Sequence, residues 1–147
     1  MKEYSFYHST PVQIRFNDVD VMGHVNNSVY QNYFDIARVH YFEDVFEYRM
    51  DWHDKALVLV HIEIDFYQPV NMYDEVRVLT KVVHMGNKSL RMEQRLVGKS
   101  EDDIRCVNQA VLSAFHYDTG EAIPLLSQWR KHIQAFEKDM EFGSAKD

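Results

Sequence analysis

From Val12 to Phe16 the chain alternates apolar and polar residues (Val12, Gln13, Ile14, Arg15, Phe16). This is the period of a strand with one buried face, and a first strand is predicted there. A loop runs from Asn17 to Val25, and after it the period changes. From Val29 onward Tyr30, Tyr33, Phe34, Ala37, Tyr41, Phe42 and Val45 recur three and four positions apart, the spacing of an amphipathic helix. The polar residues of this helix (Gln31, Asn32, Asp35, Arg38) are few, so a sheet is expected to wrap it. Asn26 or Asn27 stands where a cap is needed, because a short amide side chain accepts from the free N–H groups of a first turn.

Residues 48–55 read as irregular. Val60, Ile62, Ile64 and Phe66 then interleave with His61, Glu63 and Asp65, the clearest alternation in the chain, until Gln68 and Pro69 interrupt it. Residues 76–83, 90–97 and 104–115 read as three further strands, with turns at Gly86-Asn87 and across 98–103. Tyr117 to Gly120 is a turn signal. Pro124 is placed as a first-turn residue of a second helix, whose apolar stripe is Leu125, Trp129, Ile133, Phe136 and Met140. The tail from Gly143 to Asp147 is small and polar and is expected to fray. Four consecutive strands with short turns imply an antiparallel sheet, and one long apolar helix must lie on its face. The expected class is α+β: a curved antiparallel sheet around a long central helix, with a C-terminal helix, in one domain spanning 1–147.

Composition supports one core. The chain has 147 residues, 46% of them hydrophobic, and a domain of this size buries roughly 70% of its unfolded surface, so neither metal nor disulfide is needed for folding. Aromatic residues make up 14%, and large aromatics drive interfaces as well as cores, so an oligomer is expected. Acidic residues outnumber basic ones, 23 to 16, and no Lys/Arg run occurs, which excludes the footprint of a nucleic-acid binder. Cys106 is the single cysteine and lies in an apolar alternating stretch; it reads as an inert buried thiol suited to a reducing cytosol. No apolar run of signal-peptide or membrane-spanning length is present, so a cytoplasmic protein with no membrane partner is expected.

The chemistry concentrates in Asp18, Val19, Asp20, Val21, Met22, Gly23, His24, Val25, Asn26, Asn27 and, beyond them, Tyr30. Five polar groups fall within ten residues and lead into a helix N-terminus, whose unpaired N–H groups and partial positive charge suit an oxyanion. A carboxylate just upstream can act on a carbonyl held against those N–H groups, an arrangement that fits acyl transfer. The eight histidines show no ligand spacing for zinc, so no metal is expected.

The run from Arg15 to Asn27, with its Asp-x-x-Gly-His-Val-Asn-Asn core, Tyr30 and Ala37-Arg38, resembles the 4-hydroxybenzoyl-CoA thioesterase family of the hotdog superfamily. It is closest to the branch that carries Gly-His-Val-Asn-Asn. Weaker matches at Pro69, Asp74-Glu75 and Ser89 extend the resemblance from about Val12 to Trp129. The resemblance implies a hotdog fold paired into a homodimer or a dimer of dimers, with active sites at the subunit interface. It implies that Asp20 is catalytic in hydrolysing an acyl-CoA, either as a nucleophile forming an acyl anhydride or as the base that activates water. It also places the backbone N–H of Asn27 where the family polarises the thioester carbonyl. Coenzyme A belongs to the substrate, and no separate cofactor is implied.

Other roles divide. Asp18 reads as structural. His24 either orients Asp20 or holds the loop, and Asn26 either caps the helix or positions a water. Tyr30 is core or a substrate contact. Asp35 and Arg38 stand three apart and are expected to pair, although some hotdog enzymes use a helix carboxylate as base. Lys88, Ser89 and Arg91 are the candidate supply of groups for the coenzyme phosphates, or only a solvated hairpin. Ile62, Ile64 and the helix would wall an acyl pocket fit for a medium or long chain or an aromatic group. Two other functions compete: a hotdog hydratase or dehydratase on acyl-CoA or acyl-carrier protein, for which a helix His-and-Glu pair is expected, and a non-catalytic acyl-CoA binding module, which needs no carboxylate beside the carbonyl.

Overall fold

The computed structural model describes residues 1–143; of the tail expected to fray, 144–147 lie outside the described residues. The elements are β1 (His8–Val12), a 3₁₀ turn (Phe16–Asp18), α1 (Tyr30–Phe46), β2 (Lys55–Phe66), β3 (Val76–Met85), β4 (Ser89–Val97), β5 (Ile104–His116), β6 (Glu121–Ala122) and α2 (Ser127–Phe136). Every strand pairing is antiparallel, in the order β1-β3-β4-β5-β2, with β6 added to β5. The curved sheet carries α1 on one face. Tyr30, Tyr33, Phe34, Ala37, Tyr41, Phe42, Val45 and Phe46 of α1 are buried, and they include all seven residues of the expected apolar stripe.

Four boundaries differ from the sequence reading, each for a physical reason. The first strand is His8–Val12 instead of 12–16, because Val12 pairs with Val76, the first residue of β3, and the ladder ends there. Its buried positions hold His8 and Thr10, so hydrophobicity does not mark it, and Pro11 is tolerated because β1 is an edge strand. β2 begins at Lys55, and a bulge at Val60 resets its phase: Leu59 faces Leu112, whereas His61 faces Val111. α2 starts at Ser127, not at Pro124, since the Ile123 and Leu125 N–H groups bond the carbonyls of Ala114 and Asn87 and keep the chain extended until Leu126. Neither Asn26 nor Asn27 caps α1. Val29 occupies that position without a side-chain bond, and the Asn26 side-chain oxygen instead accepts from the Ser28 N–H (3.0 Å) and hydroxyl (3.0 Å) in the turn ahead of the helix.

The core divides along α1. At the helix C-terminal end Tyr41, Phe42, Val45 and Phe46 meet Met85, Leu90, Leu112 and, from α2, Trp129 and Ile133. At the N-terminal end a smaller cluster joins Val25, Tyr30, Tyr33, Phe34 and Ala37 to Val70, Val76, Val78, Leu96 and Cys106. The two sheet edges are finished differently. Beyond β1, the Val82 N–H of β3 donates to the buried Glu137 carboxylate (3.1 Å), which also accepts from Tyr41 Oη (2.7 Å) and Lys81 Nζ (3.0 Å). The opposite edge, β2, is open, and its apolar residues Leu59, Val60, Ile62 and Phe66 are exposed by 37, 59, 39 and 47%.

Candidate active site

Residues 19–25 form a small hairpin at the N-terminal end of α1. Val19 pairs with Val25, the Asp20 N–H bonds the His24 carbonyl (2.8 Å), and the Gly23 N–H bonds the Asp20 carbonyl (3.0 Å). Gly23 sits at φ +80°, a left-handed conformation that glycine adopts without a Cβ penalty. At the tip, Asp20 Oδ1 accepts the N–H groups of Met22 (2.9 Å) and His24 (3.2 Å). The carboxylate is thereby held by its own loop while remaining exposed. His24 is half-buried and contributes its backbone to that grip; Asn26 and Asn27 are exposed. The Asn27 N–H makes no hydrogen bond among the described residues. One carboxylate and one free amide donor thus flank the start of α1, the polarity that acyl transfer requires.

Asp18 anchors this arrangement from beneath. It is 2% exposed and accepts the Tyr33 hydroxyl (2.6 Å) and the Arg15 N–H (2.9 Å), while its carbonyl receives the Asn26 N–H (2.8 Å). Burial pushes its carboxyl up, but the Tyr33 and Arg15 donors outweigh burial and hold it below the usual carboxylate range. The Tyr33 hydroxyl is pushed well up by burial and by Asp18. Tyr30 is 2% exposed and packs edge-on against Phe66 at 5.2 Å. On the adjoining helix face Asp35 Oδ1 is engaged by Gln31 (2.8 Å) and Arg38 (2.7 Å).

The segment 67–74 backs the hairpin. The Val25 N–H bonds the Val70 carbonyl (2.7 Å), His24 bridges to Asn71, and the Met72 N–H bonds the Gly23 carbonyl (3.3 Å). Arg105 of β5 holds that segment through the Pro69 carbonyl (3.0 Å) and Asp74 (2.8 Å) while gripping Asp103 with Nε and Nη2. Sequence reading missed Arg105; its local trace is the Asp103-Ile-Arg105 spacing, which sets an acid in the turn two positions ahead of a base at the start of β5.

The structure does not bring Lys88, Ser89 and Arg91 to Asp20 within one chain. The β3–β4 turn carrying Lys88 lies at the other end of α1, beside the cluster of Met85 and Leu90, and a 17-residue helix spans about 25 Å. Arg91 instead lines a cavity of about 360 Å³ with Tyr4, His61, Glu63, Glu93 and Gln109, on the sheet face turned away from α1. Around Asp20 the surface is apolar and open: Phe16, Val21, Met22 and Tyr73 are exposed by 82, 104, 73 and 93%. Among the described residues no group of three or more His, Cys, Asp or Glu side chains is placed to hold a metal, and no helix is long and apolar enough to cross a membrane. The Cys106 thiol is buried and pushed up to about 12 by that burial.

The fold has close counterparts. A thioesterase from Thermus thermophilus, solved with coenzyme A and zinc, superimposes with a TM-score of 0.77 at 32% identity, covering 90% of this chain and 96% of that one. The long-chain acyl-CoA thioesterase FadM of Escherichia coli is 24% identical over 131 residues, 88% of this chain and 98% of FadM. The uncharacterized protein YsmA of Bacillus subtilis is 27% identical over 109 residues, 74% of this chain and 71% of YsmA. The family model described as the thioesterase-like superfamily matches residues 14–136, from the extended segment ahead of the 19–25 hairpin to the end of α2. A curved antiparallel sheet around one helix and this match agree: the chain belongs to the thioesterase-like superfamily and has its hotdog fold.

Proposed function

We propose that this chain hydrolyses an acyl-coenzyme A to the free acid and coenzyme A, with Asp20 as the reacting carboxylate and the Asn27 N–H as donor to the thioester oxygen. The observation that carries the reading is the pairing of an exposed, loop-held carboxylate with a free amide N–H at the N-terminus of α1. Negative charge building on the thioester oxygen is stabilised by that N–H and by the helix dipole. Asp20 either adds to the thioester carbon, giving an anhydride that water opens, or takes a proton from the attacking water; in both routes the thiolate of coenzyme A leaves and is protonated. His24 fixes the Asp20 side chain through its backbone N–H. Asn26 and Tyr30 shape the helix start, and the acyl group lies toward Ile62 and Ile64. The name of FadM supports a long acyl chain, and the Gly-His-Val-Asn-Asn run supports the matching branch of the 4-hydroxybenzoyl-CoA thioesterase family. Asp35, whose Oδ1 is tied to Gln31 and Arg38, is the second candidate for the reacting carboxylate. The lone buried thiol supports a cytosolic setting. In a panel of acyl-CoAs, Asp20→Asn is expected to lower thiol release by about 100-fold or more with folding and ligand binding kept. Wild-type turnover in that variant would defeat the assignment.

The working form is a homodimer, or a dimer of such dimers. An unpaired strand with exposed Leu59, Val60, Ile62 and Phe66 is a template for pairing. Antiparallel pairing of β2 with its own copy extends the sheet and sets the two α1 helices side by side in opposite directions. We assign the coenzyme phosphates to Lys88 and Ser89 on the β3–β4 turn of the second copy, whose α1 runs opposite to this one; Arg91, on the sheet face turned away from α1, is left to the cavity that it lines. Sedimentation is expected to give a dimer or tetramer, and Ile62→Lys a monomer without turnover; an active monomer would contradict this.

A further inference from the structure

We infer that Arg105 is a positioning residue for the reaction: its guanidinium clamps segment 67–74, and that segment fixes the register between the Asp20 carboxylate and the Asn27 N–H. The inference rests on the proposed roles of those two groups. The reactive hairpin has little ladder of its own. Besides the Val19–Val25 bridge and its internal turn bonds, its backbone is tied to Asp18 through the Asn26 N–H and to segment 67–74 through Val25, His24 and the Gly23 carbonyl. That segment is itself irregular between β2 and β3, so something rigid must hold it. Asp74 closes it on itself, accepting the Asn71 N–H on Oδ2 (2.9 Å), and the same Oδ2 receives Arg105 Nη1 (2.8 Å). Nη1 also bonds the Pro69 carbonyl (3.0 Å), and the Arg105 carbonyl receives the Tyr67 (2.9 Å) and Gln68 (3.2 Å) N–H groups. One residue of a central strand therefore grips the segment at both ends.

The guanidinium is set before it meets the segment. Asp103 binds it in two parallel bonds, Nε to Oδ1 at 2.9 Å and Nη2 to Oδ2 at 3.0 Å. Gly98 provides the room, because a Cβ there would overlap the Asp103 carboxylate and crowd Arg105 Nη2. The fork geometry, not the charge alone, reaches three acceptors from a side chain only 14% exposed.

The test is steady-state kinetics on the full chain with an acyl-CoA substrate. Arg105→Gln is expected to lower kcat by about 10- to 100-fold with KM changed less than about threefold, the scale of a small misplacement of reacting groups. Arg105→Lys, which keeps the charge and loses the fork, is expected to recover part of kcat. In the Asp20→Asn background Arg105→Gln should add little, because it acts through the same group. Unchanged kcat in a folded Arg105→Gln, or a full multiplicative loss in the Asp20→Asn background, overturns the inference. If Arg105→Gln does not fold, Asp74→Asn, which leaves the Asp103 pair intact, takes its place with the same expectations. Wild-type turnover in Asp20→Asn alone would sink the reading of the reaction instead. The clamp is then judged on amide exchange at Val25 and Met72, which must rise about tenfold or more in Arg105→Gln or the clamp is refuted.

Discussion

The two ends of α1 are built to opposite specifications. At the C-terminal end, Phe46 stacks against Phe42, Tyr48 and Trp129, Trp129 donates to the Tyr48 hydroxyl at 2.7 Å, and α2 closes the core over Met85, Leu90 and Leu112. At the N-terminal end, among the described residues, no second helix covers the smaller cluster. Its lid is the short hairpin 19–25, held by hydrogen bonds, an ion clamp and one buried carboxylate. The contrast teaches where each kind of force is used: non-directional burial closes one end, and directional bonds hold the end that carries the candidate site.

The largest expected effect falls on the closed end. Trp129→Ala removes a side chain 1% exposed and is expected to cost about 3–5 kcal/mol in denaturant unfolding, with turnover per folded molecule unchanged. A comparable loss of kcat would break the division. Tyr33→Phe cuts one bond to the buried Asp18 at the open end and is expected to cost about 1–3 kcal/mol, with a larger effect on kcat than on KM because Asp18 also holds Asn26. The smallest effect is pH-dependent. Asp18 and Asp74 are both held below their ordinary value of 3.8, Asp18 by Tyr33 and Arg15 against the push of burial, and Asp74 by the Asn71 N–H and Arg105. Because the folded value is the lower one, their contribution is fully present above about pH 4 and is lost as pH falls through the depressed values. Amide exchange at Asn26 and Asn71 is expected to quicken in that acid window ahead of exchange in β4, and Asp74→Asn should flatten the response at Asn71. Equal quickening at both ends would contradict the comparison.

Much of this was written in the sequence, and the exceptions share a cause. α1 follows its period because its buried positions carry apolar side chains, and β3, β4 and β5 keep enough apolar buried positions to read as strands although Thr80, Lys81, Glu93, Gln94, Arg95 and Asn108 are buried among them. The second half of β2 alternates cleanly in sequence although it lies on the open edge with Ile62 and Phe66 exposed. β1 hides because His8 and Thr10 point inward, and the first half of β2 hides because the Val60 bulge breaks the alternation. The site was legible as a run, Asp18 to Asn27, since its residues are neighbours in the chain. What holds that run is not: Tyr33 reaches Asp18 across 15 positions and Arg105 reaches Asp74 across 31, contacts that only the closed fold brings together. The distance of Lys88 and Arg91 from Asp20 is a fact of the same kind, set by which end of α1 the β3–β4 turn reaches.

The carboxylate of Glu137 closes the far rim of the sheet from a position immediately after α2. Shortening the polypeptide ahead of that residue removes Asp139 as well and leaves the buried Lys81 ammonium with the Ser5 carbonyl but neither acidic partner, a defect worth about 3–5 kcal/mol. Terminal tags and nested deletions therefore have a sharp boundary: material added after Asp139 leaves the rim sealed, whereas clipping by a carboxypeptidase that passes Glu137 unseals it and exposes the polypeptide to further digestion.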